Sequence, residues 1–338
     1  MPMLKVTHTP GRHCASTAIC DLVNFHGIAF SEAMCFGIGA GLGIWYLDFP
    51  GLPASRMLHV RSLDIEAQFF TRMGCTFSWE QSDDPAASEA ALCRHIENGR
   101  PAVIQTDIFY LPYYGSKTHF PGHLIAVWGY DRNKREFYVT DTERPDPVAV
   151  PFADMRKARF IRNAIFDLRG NLFAPANLRL PPDLPAVFRK AIIHNSRTLT
   201  DASTHAMGIG ALEKMLEELP GWSDFTDWQW TARFAYQVIE KRGTGGGGFR
   251  LMYADFLEEA ADFVPEIASL GLVKMMREAA LTWQDLAAAF KSASEKDRPD
   301  FTEVADQIRN VIRTEAAYHH TVCKELAEYF QQNGVGPK

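Results

Sequence analysis

Past Arg169 the chain changes character, and that break constrains the fold more than any other feature of its 338 residues. Up to about residue 165, short helical stretches mix with β-rich runs. A Pro- and Asn-rich segment over 171–185 (NLFAPANLRLPPDLP) then reads as a connection between domains. Beyond it, apolar residues recur at helical spacing over 184–199, 207–219, 226–242, 250–262, 266–292 and 301–331. The expectation is an α+β domain over 1–168 followed by an all-α helical domain over 169–338. A chain of this length suits two domains of roughly 100–200 residues. Residues 334–338 read as a frayed end.

Composition narrows the function classes. The net charge of −6 gives no general pull toward nucleic acid or anionic lipid, so neither is an expected partner. The longest apolar-looking run, 36–47, holds four glycines and is too short to cross a bilayer. The first residues carry no apolar signal core, so a cytoplasmic location is expected. Cys14, Cys20, Cys35, Cys75, Cys93 and Cys323 form no CxxC pair, which argues against a disulfide framework and against a thiolate metal site. These cysteines are expected to be free thiols, and no metal is expected.

Cys14 stands out among them. It follows Gly11-Arg12-His13 and opens a stretch with Ala15, Ala18, Ile19, Leu22 and Val23 at helical spacing, closed by Gly27. The positive end of a helix favours a thiolate there, and the first backbone N–H groups can hold an oxyanion. The plainer reading is a small buried hydrophobe. A thiolate nucleophile also needs a general acid/base and an orienting group. His123 heads a strand over 123–130 (HLIAVWGY), residues 131–134 turn, and the next strand, 136–141 (EFYVTD), ends in Asp141. Counting back from the turn places His123 and Asp141 near the same open end. His119 is the rival base. Pro121-Gly122 keeps it from aligning with His123 as a metal pair.

No HExxH, GxSxG or Walker lysine occurs, and the alternating glycines over 37–43 do not fit GxGxxG. Those glycines imply close backbone packing, with a substrate groove as one reason for it. Asp107 with Tyr110, Tyr113 and Tyr114 suits a cationic amine; the alternative is a tyrosine-rich loop packed on a sheet. The glycines after Thr244, with Arg250 at a helix start, suit a phosphate or carboxylate; the alternative is a flexible link.

The chain resembles the butirosin biosynthesis protein H family. The residues that carry the likeness are His13-Cys14-Ala15-Ser16-Thr17, Ser31-Glu32 before the glycine run, Asp107 with Tyr110-Leu111-Pro112-Tyr113-Tyr114, His119-Phe120-Pro121-Gly122-His123 and Val139-Thr140-Asp141-Thr142. The run from Arg242 through Gly248 to Arg250, followed by Tyr253-Ala254-Asp255-Phe256-Leu257, resembles the helical domain that accompanies it. That family is similar to papain-like cysteine enzymes, bacteriocin-leader peptidases in particular. The resemblance implies a papain-like domain and a cysteine-dependent acyltransferase of antibiotic biosynthesis. Its donor would be the phosphopantetheine thioester of an acyl carrier protein and its acceptor a small-molecule amine, with no bound cofactor. It assigns Cys14 as nucleophile, His123 as acid/base and Asp141 as orienting group. Glu32, Asp107, Tyr110, Tyr113, Tyr114, His119 and Arg250 become substrate-binding candidates. Papain-like proteases carry an oxyanion-donating glutamine about six residues before the cysteine; here that position is His8. His8, His13 or backbone N–H groups near Cys14 would fill the role. A cysteine hydrolase, amidase or peptidase, a cyclase releasing a carrier-bound chain, and a non-catalytic binding module are the alternatives.

Overall fold

The structure, a computed structural model, describes residues 2–162 and 166–326. It is a mixed α+β chain whose elements fall into two compact units, one of residues Met1–Cys35 and Glu66–Pro181, the other of Phe36–Ile65 and Pro182–Lys338. In chain order the elements up to residue 173 are α1 (Cys14–Phe25), α2 (Glu32–Ile38), β1 (Leu42–Leu47), β2 (Met57–Arg61), α3 (Ile65–Arg72), α4 (Pro85–Glu97), β3 (Ala102–Thr106), β4 (His123–Asp131), β5 (Glu136–Thr140), β6 (Val148–Pro151), α5 (Phe152–Ala158), β7 (Phe160–Arg162), β8 (Asp167–Arg169) and β9 (Leu172–Phe173).

The first unit is built on an antiparallel five-stranded sheet in the order β6-β5-β4-β3-β9. β4 is central and buried along nearly its whole length, which explains its unbroken apolar run. One face of the sheet, with Ile104, Ile125, Val127, Phe137 and Val139, packs on Leu92 and Ile96 of α4. α1 packs across β4, where Phe25 meets Trp128 edge-on. α1 begins where expected because His13 caps it, its ring accepting the Ser16 N–H.

The second unit holds the β1–β2 hairpin and the helices α6 (Leu184–Leu199), α7 (Ile209–Glu218), α8 (Trp228–Glu240), α9 (Arg250–Ala260), α10 (Glu266–Ser269), α11 (Leu272–Ser294) and α12 (Thr302–Thr321). The single helix expected over 266–292 is two, because Gly271 sits at φ +65° between them. The expected extension of the last helix to 331 and the frayed end at 334–338 lie outside the described residues. Among the described residues no helix is long and apolar enough to cross a membrane.

Two features depart from the expected organisation. The cut at 168/169 falls inside β8, and the segment to Pro181 stays with the first unit because β9 adds an edge strand beside β3. Residues 36–65, expected in the N-terminal domain, belong to the second unit, so that unit is not all-α. β1 packs on α7 and β2 on α8. The glycine run serves this packing: a Cβ at Gly43 would stand 2.2 Å from the Arg61 carbonyl oxygen on the paired strand, and one at Gly37 would enter the Phe256 ring.

The Arg250 region also differs from the anion-site expectation. Arg250 is fully buried, its guanidinium donating to both Glu315 oxygens and, through Nη1, to the Gly248 carbonyl at 2.7 Å. Gly243 and Gly245–Gly248 all adopt positive φ, and the Gly247 N–H donates to Glu240. The loop's donors meet an internal carboxylate, so the glycines and Arg250 build the helical core rather than an open anion cradle. Arg250 and His319 hold the buried Glu315 carboxyl far below the usual carboxylate range, against burial that opposes this. Glu315→Gln is expected to lower stability by about 3–5 kcal/mol, because it leaves Arg250 buried without its counter-charge. The loss, read by urea denaturation, should be full above the unfolded glutamate value of about 4.3 and shrink as pH falls below it.

Candidate active site

Local sequence positions three candidate side chains. The Gly11-Arg12-His13 turn delivers Cys14 to the first position of α1, where the residue is 8% exposed. Glu32, at the start of α2, secures that turn. Its carboxylate accepts the Arg12 and His13 N–H groups and the Ser16 and Thr17 hydroxyls. Glu32 thus braces the turn that carries Cys14. Gly11 donates its N–H to the Thr142 carbonyl at 2.9 Å, tying the turn to the end of β5. A Cβ at Gly11 would lie 2.2 Å from Thr17 Oγ1 and 2.9 Å from Glu32 Cδ. Gly11→Ala is expected to cost about 1–3 kcal/mol of stability in a thermal or urea melt, since the turn must shift to admit the methyl.

His123 and Asp141 meet as the strand count implied. His123 Nε2 lies 2.9 Å from both Asp141 carboxylate oxygens. His123 is buried, yet its pKa is pushed up to about 10: burial opposes this, while the Asp141 charge and hydrogen bond, with a smaller contribution from Cys14, prevail. Cys14 is among the groups that raise His123, which puts its sulfur close to the same ring. Asp141 is held below the ordinary aspartate value, since His123, Tyr113 and Thr142 outweigh burial.

The three tyrosines pack against the sheet core, and two of them also reach the His123–Asp141 pair. Tyr113 Oη donates to Asp141 Oδ2 at 2.7 Å, and Tyr114 Oη lies 3.2 Å from His123 Nε2. Burial and the Asp141 charge push both phenols up, so they remain protonated. Tyr110 packs against the sheet core. The rival histidine has its own carboxylate: His119 Nδ1 is 2.6 Å from Asp107 Oδ2 and its ring stacks on Phe109. Asp107 is fully buried, with its other oxygen accepting the Phe109 and Phe120 N–H groups. It braces the loop.

Both oxyanion candidates already have ring partners. His13 Nδ1 serves Ser16 as the helix cap. His8 Nδ1 lies 2.8 Å from Asp21 Oδ2 and Nε2 lies 2.8 Å from the Arg144 carbonyl oxygen. The sequence reading missed Asp21, Thr140, Thr142 and Arg144. Thr142 Oγ1 donates to Asp141 Oδ1 at 3.0 Å. The Arg144 guanidinium donates to the Tyr113 carbonyl and lies over the Tyr113 and Tyr114 rings. Thr140 and Thr142 flank Asp141 in the Val139–Thr142 run and Arg144 follows closely, while Asp21 lies two helical turns after Cys14.

With this geometry in place, the family comparison is decisive. The family described as Butirosin biosynthesis protein H, N-terminal, matches residues 13–142, from the α1 cap to the residue after Asp141. The chain belongs to the butirosin biosynthesis protein H-like family. A second family, described as Domain of unknown function (DUF4872), matches residues 153–322. No curated protein matches the chain.

Proposed function

We propose that this family member is a biosynthetic acyltransferase that carries an acyl group on Cys14. The single observation that supports it most is the convergence of Cys14 and Asp141 on one buried imidazole. A cysteine at a helix start, a histidine heading a strand and an aspartate ending the next strand is also the order of papain-like enzymes, and this is the fold relationship we assign to the first unit. Six cysteines without a framework suit a reducing compartment.

Asp141 engages Nε2, so Nδ1 is the ring nitrogen that serves the sulfur. The Cys14 thiolate attacks the carbonyl carbon of a thioester presented on the phosphopantetheine arm of a carrier protein. Backbone N–H groups at the start of α1 receive the oxyanion. As the intermediate collapses, the pantetheine C–S bond breaks and His123 gives its proton to the departing sulfur. An amine then attacks the Cys14 thioester and passes a proton to His123, and the thiolate leaves with an amide as product. One C–S bond replaces another in the first half, so it is nearly balanced in energy, and amide formation drives the second. The acyl group arrives activated, so the reaction needs no nucleotide and no resident cofactor.

Incubation with a carrier protein bearing an acyl thioester tests this. An acyl adduct on Cys14, seen by intact mass and persisting until an amine is added, is the expected result. Rapid loss to the free acid would instead indicate a hydrolase, and absence of any adduct would remove the nucleophile assignment.

A further inference from the structure

Another buried histidine–carboxylate pair, His8–Asp21, lies near enough to His123–Asp141 for the Asp141 charge to act on His8. Both side chains of His8 and Asp21 are buried, at 2% exposure each. Asp21 stands seven residues after Cys14 on α1, two helical turns on, so the two share one face of the helix. Asp21 Oδ2 accepts from Thr140 Oγ1 at 2.6 Å, and Thr140 accepts from Trp128 Nε1 on β4. His8 Nε2 must carry hydrogen, because its partner is the Arg144 carbonyl, which only accepts. Asp141 is thus bracketed along the chain by Thr140 and Arg144, and both are tethered to the same pair. The Arg144 N–H in turn donates to the Asp141 carbonyl at 3.0 Å, closing that turn. Arg144 also carries the restraint outward, holding the two tyrosines that touch Asp141 and His123.

We propose that the His8–Asp21 pair is a positioning element that sets the register of α1 against β4 and β5, and so brings Cys14, His123 and Asp141 into line. It rests on the acyl-transfer reading above and does not itself touch the reacting atoms. The hydrogen bonds carry the effect and the charge does not. An amide in place of the Asp21 carboxylate can still accept from Thr140 and donate to a neutral His8.

The test compares Asp21→Asn with the apolar double variant His8→Phe/Asp21→Leu, which leaves no single buried charge unpaired and is therefore expected to fold. Near-ultraviolet circular dichroism verifies folding. One readout is the rate at which iodoacetamide alkylates Cys14, followed by peptide mass. The other is the downfield imidazole N–H resonance of His123 in protein labelled with ¹⁵N-histidine. The double variant is expected to lose about tenfold to a hundredfold in alkylation rate and to shift or broaden the His123 resonance. Asp21→Asn is expected to retain both, with a rate within about threefold of the parent, the margin that one weakened hydrogen bond allows. A folded double variant with the parent rate and resonance would overturn the proposal. Equal loss in Asp21→Asn would overturn it as well, by assigning the effect to charge. Should Cys14 of the parent react no faster than the other five cysteines, the acyl-transfer reading fails, while the His123 resonance still decides the positioning role.

Discussion

Cys14→Ser is expected to abolish the acyl adduct and to lower transfer by about four orders of magnitude or more. The reason lies in the histidine. A serine nucleophile needs a neutral imidazole to remove its proton. Here Asp141 and Cys14 overcome the effect of burial and keep His123 protonated to about pH 10. Most of that influence comes from Asp141 and survives the substitution, so the hydroxyl would meet an imidazolium with no lone pair to offer. Cys14→Ala should behave alike. Product formation is read in single-turnover reactions with a loaded carrier protein and an amine. A rate in either variant above about one hundredth of the parent would sink the nucleophile assignment, given the losses such residues normally show.

Asp141→Asn should lower acylation by about three to four orders of magnitude, and it should move the pH profile in a defined direction. The proposed acylation step requires protonated His123, which would give its proton to the departing sulfur. In the parent that form persists below about pH 10 and is lost above it. Without the carboxylate, burial becomes the dominant influence and pushes the imidazole below its ordinary value of about 6.5. The alkaline limb of the profile should therefore move down by several pH units. An unmoved limb would mean that Asp141 does not govern the base. Stability follows the same linkage. The raised histidine contributes fully below its unfolded value of about 6.5 and loses that contribution as pH rises toward 10. The depressed aspartate contributes fully above its unfolded value of about 3.9 and loses it as pH falls. The deficit of the variant, about 3–5 kcal/mol for a broken buried pair, should be greatest near pH 5–6 in urea denaturation and smaller on either side.

Much of the framework is legible in local sequence. Cys14 at a helix start, the long apolar strand headed by His123 and the turn before the strand that precedes Asp141 all follow from periodicity and turn chemistry. So do most helices beyond residue 184. The β1–β2 hairpin is not legible, because the glycines that let β1 approach β2 also erase the alternation that marks a strand. The internal partners of Asp107, Glu32 and Arg250 are likewise not legible in local sequence. Asp107 and Glu32 are met by groups about 12 to 20 residues away and Arg250 by Glu315, 65 residues on, beyond the reach of local periodicity.

The alignment of the candidate triad shows where local sequence stops. Near the turn, Tyr130 stands opposite Phe137 and Gly129 opposite Tyr138. Continuing that register would set Asp141 opposite Ala126, on the face away from His123. An irregularity between Val127 and Gly129 shifts the pairing to Val127 opposite Val139 and Ala126 opposite Thr140. Asp141 then follows on the face of His123, since a one-residue slip exchanges the faces of a strand. By itself the sequence determined the helix that presents the cysteine, the two strands and the end at which they bring histidine and aspartate together. Only the tertiary structure decided the face of the sheet, the histidine that each aspartate takes, and the anchoring of the site by His8 and Asp21. Those outcomes depend on contacts such as His8 with Arg144, across more than a hundred residues, which no local propensity encodes.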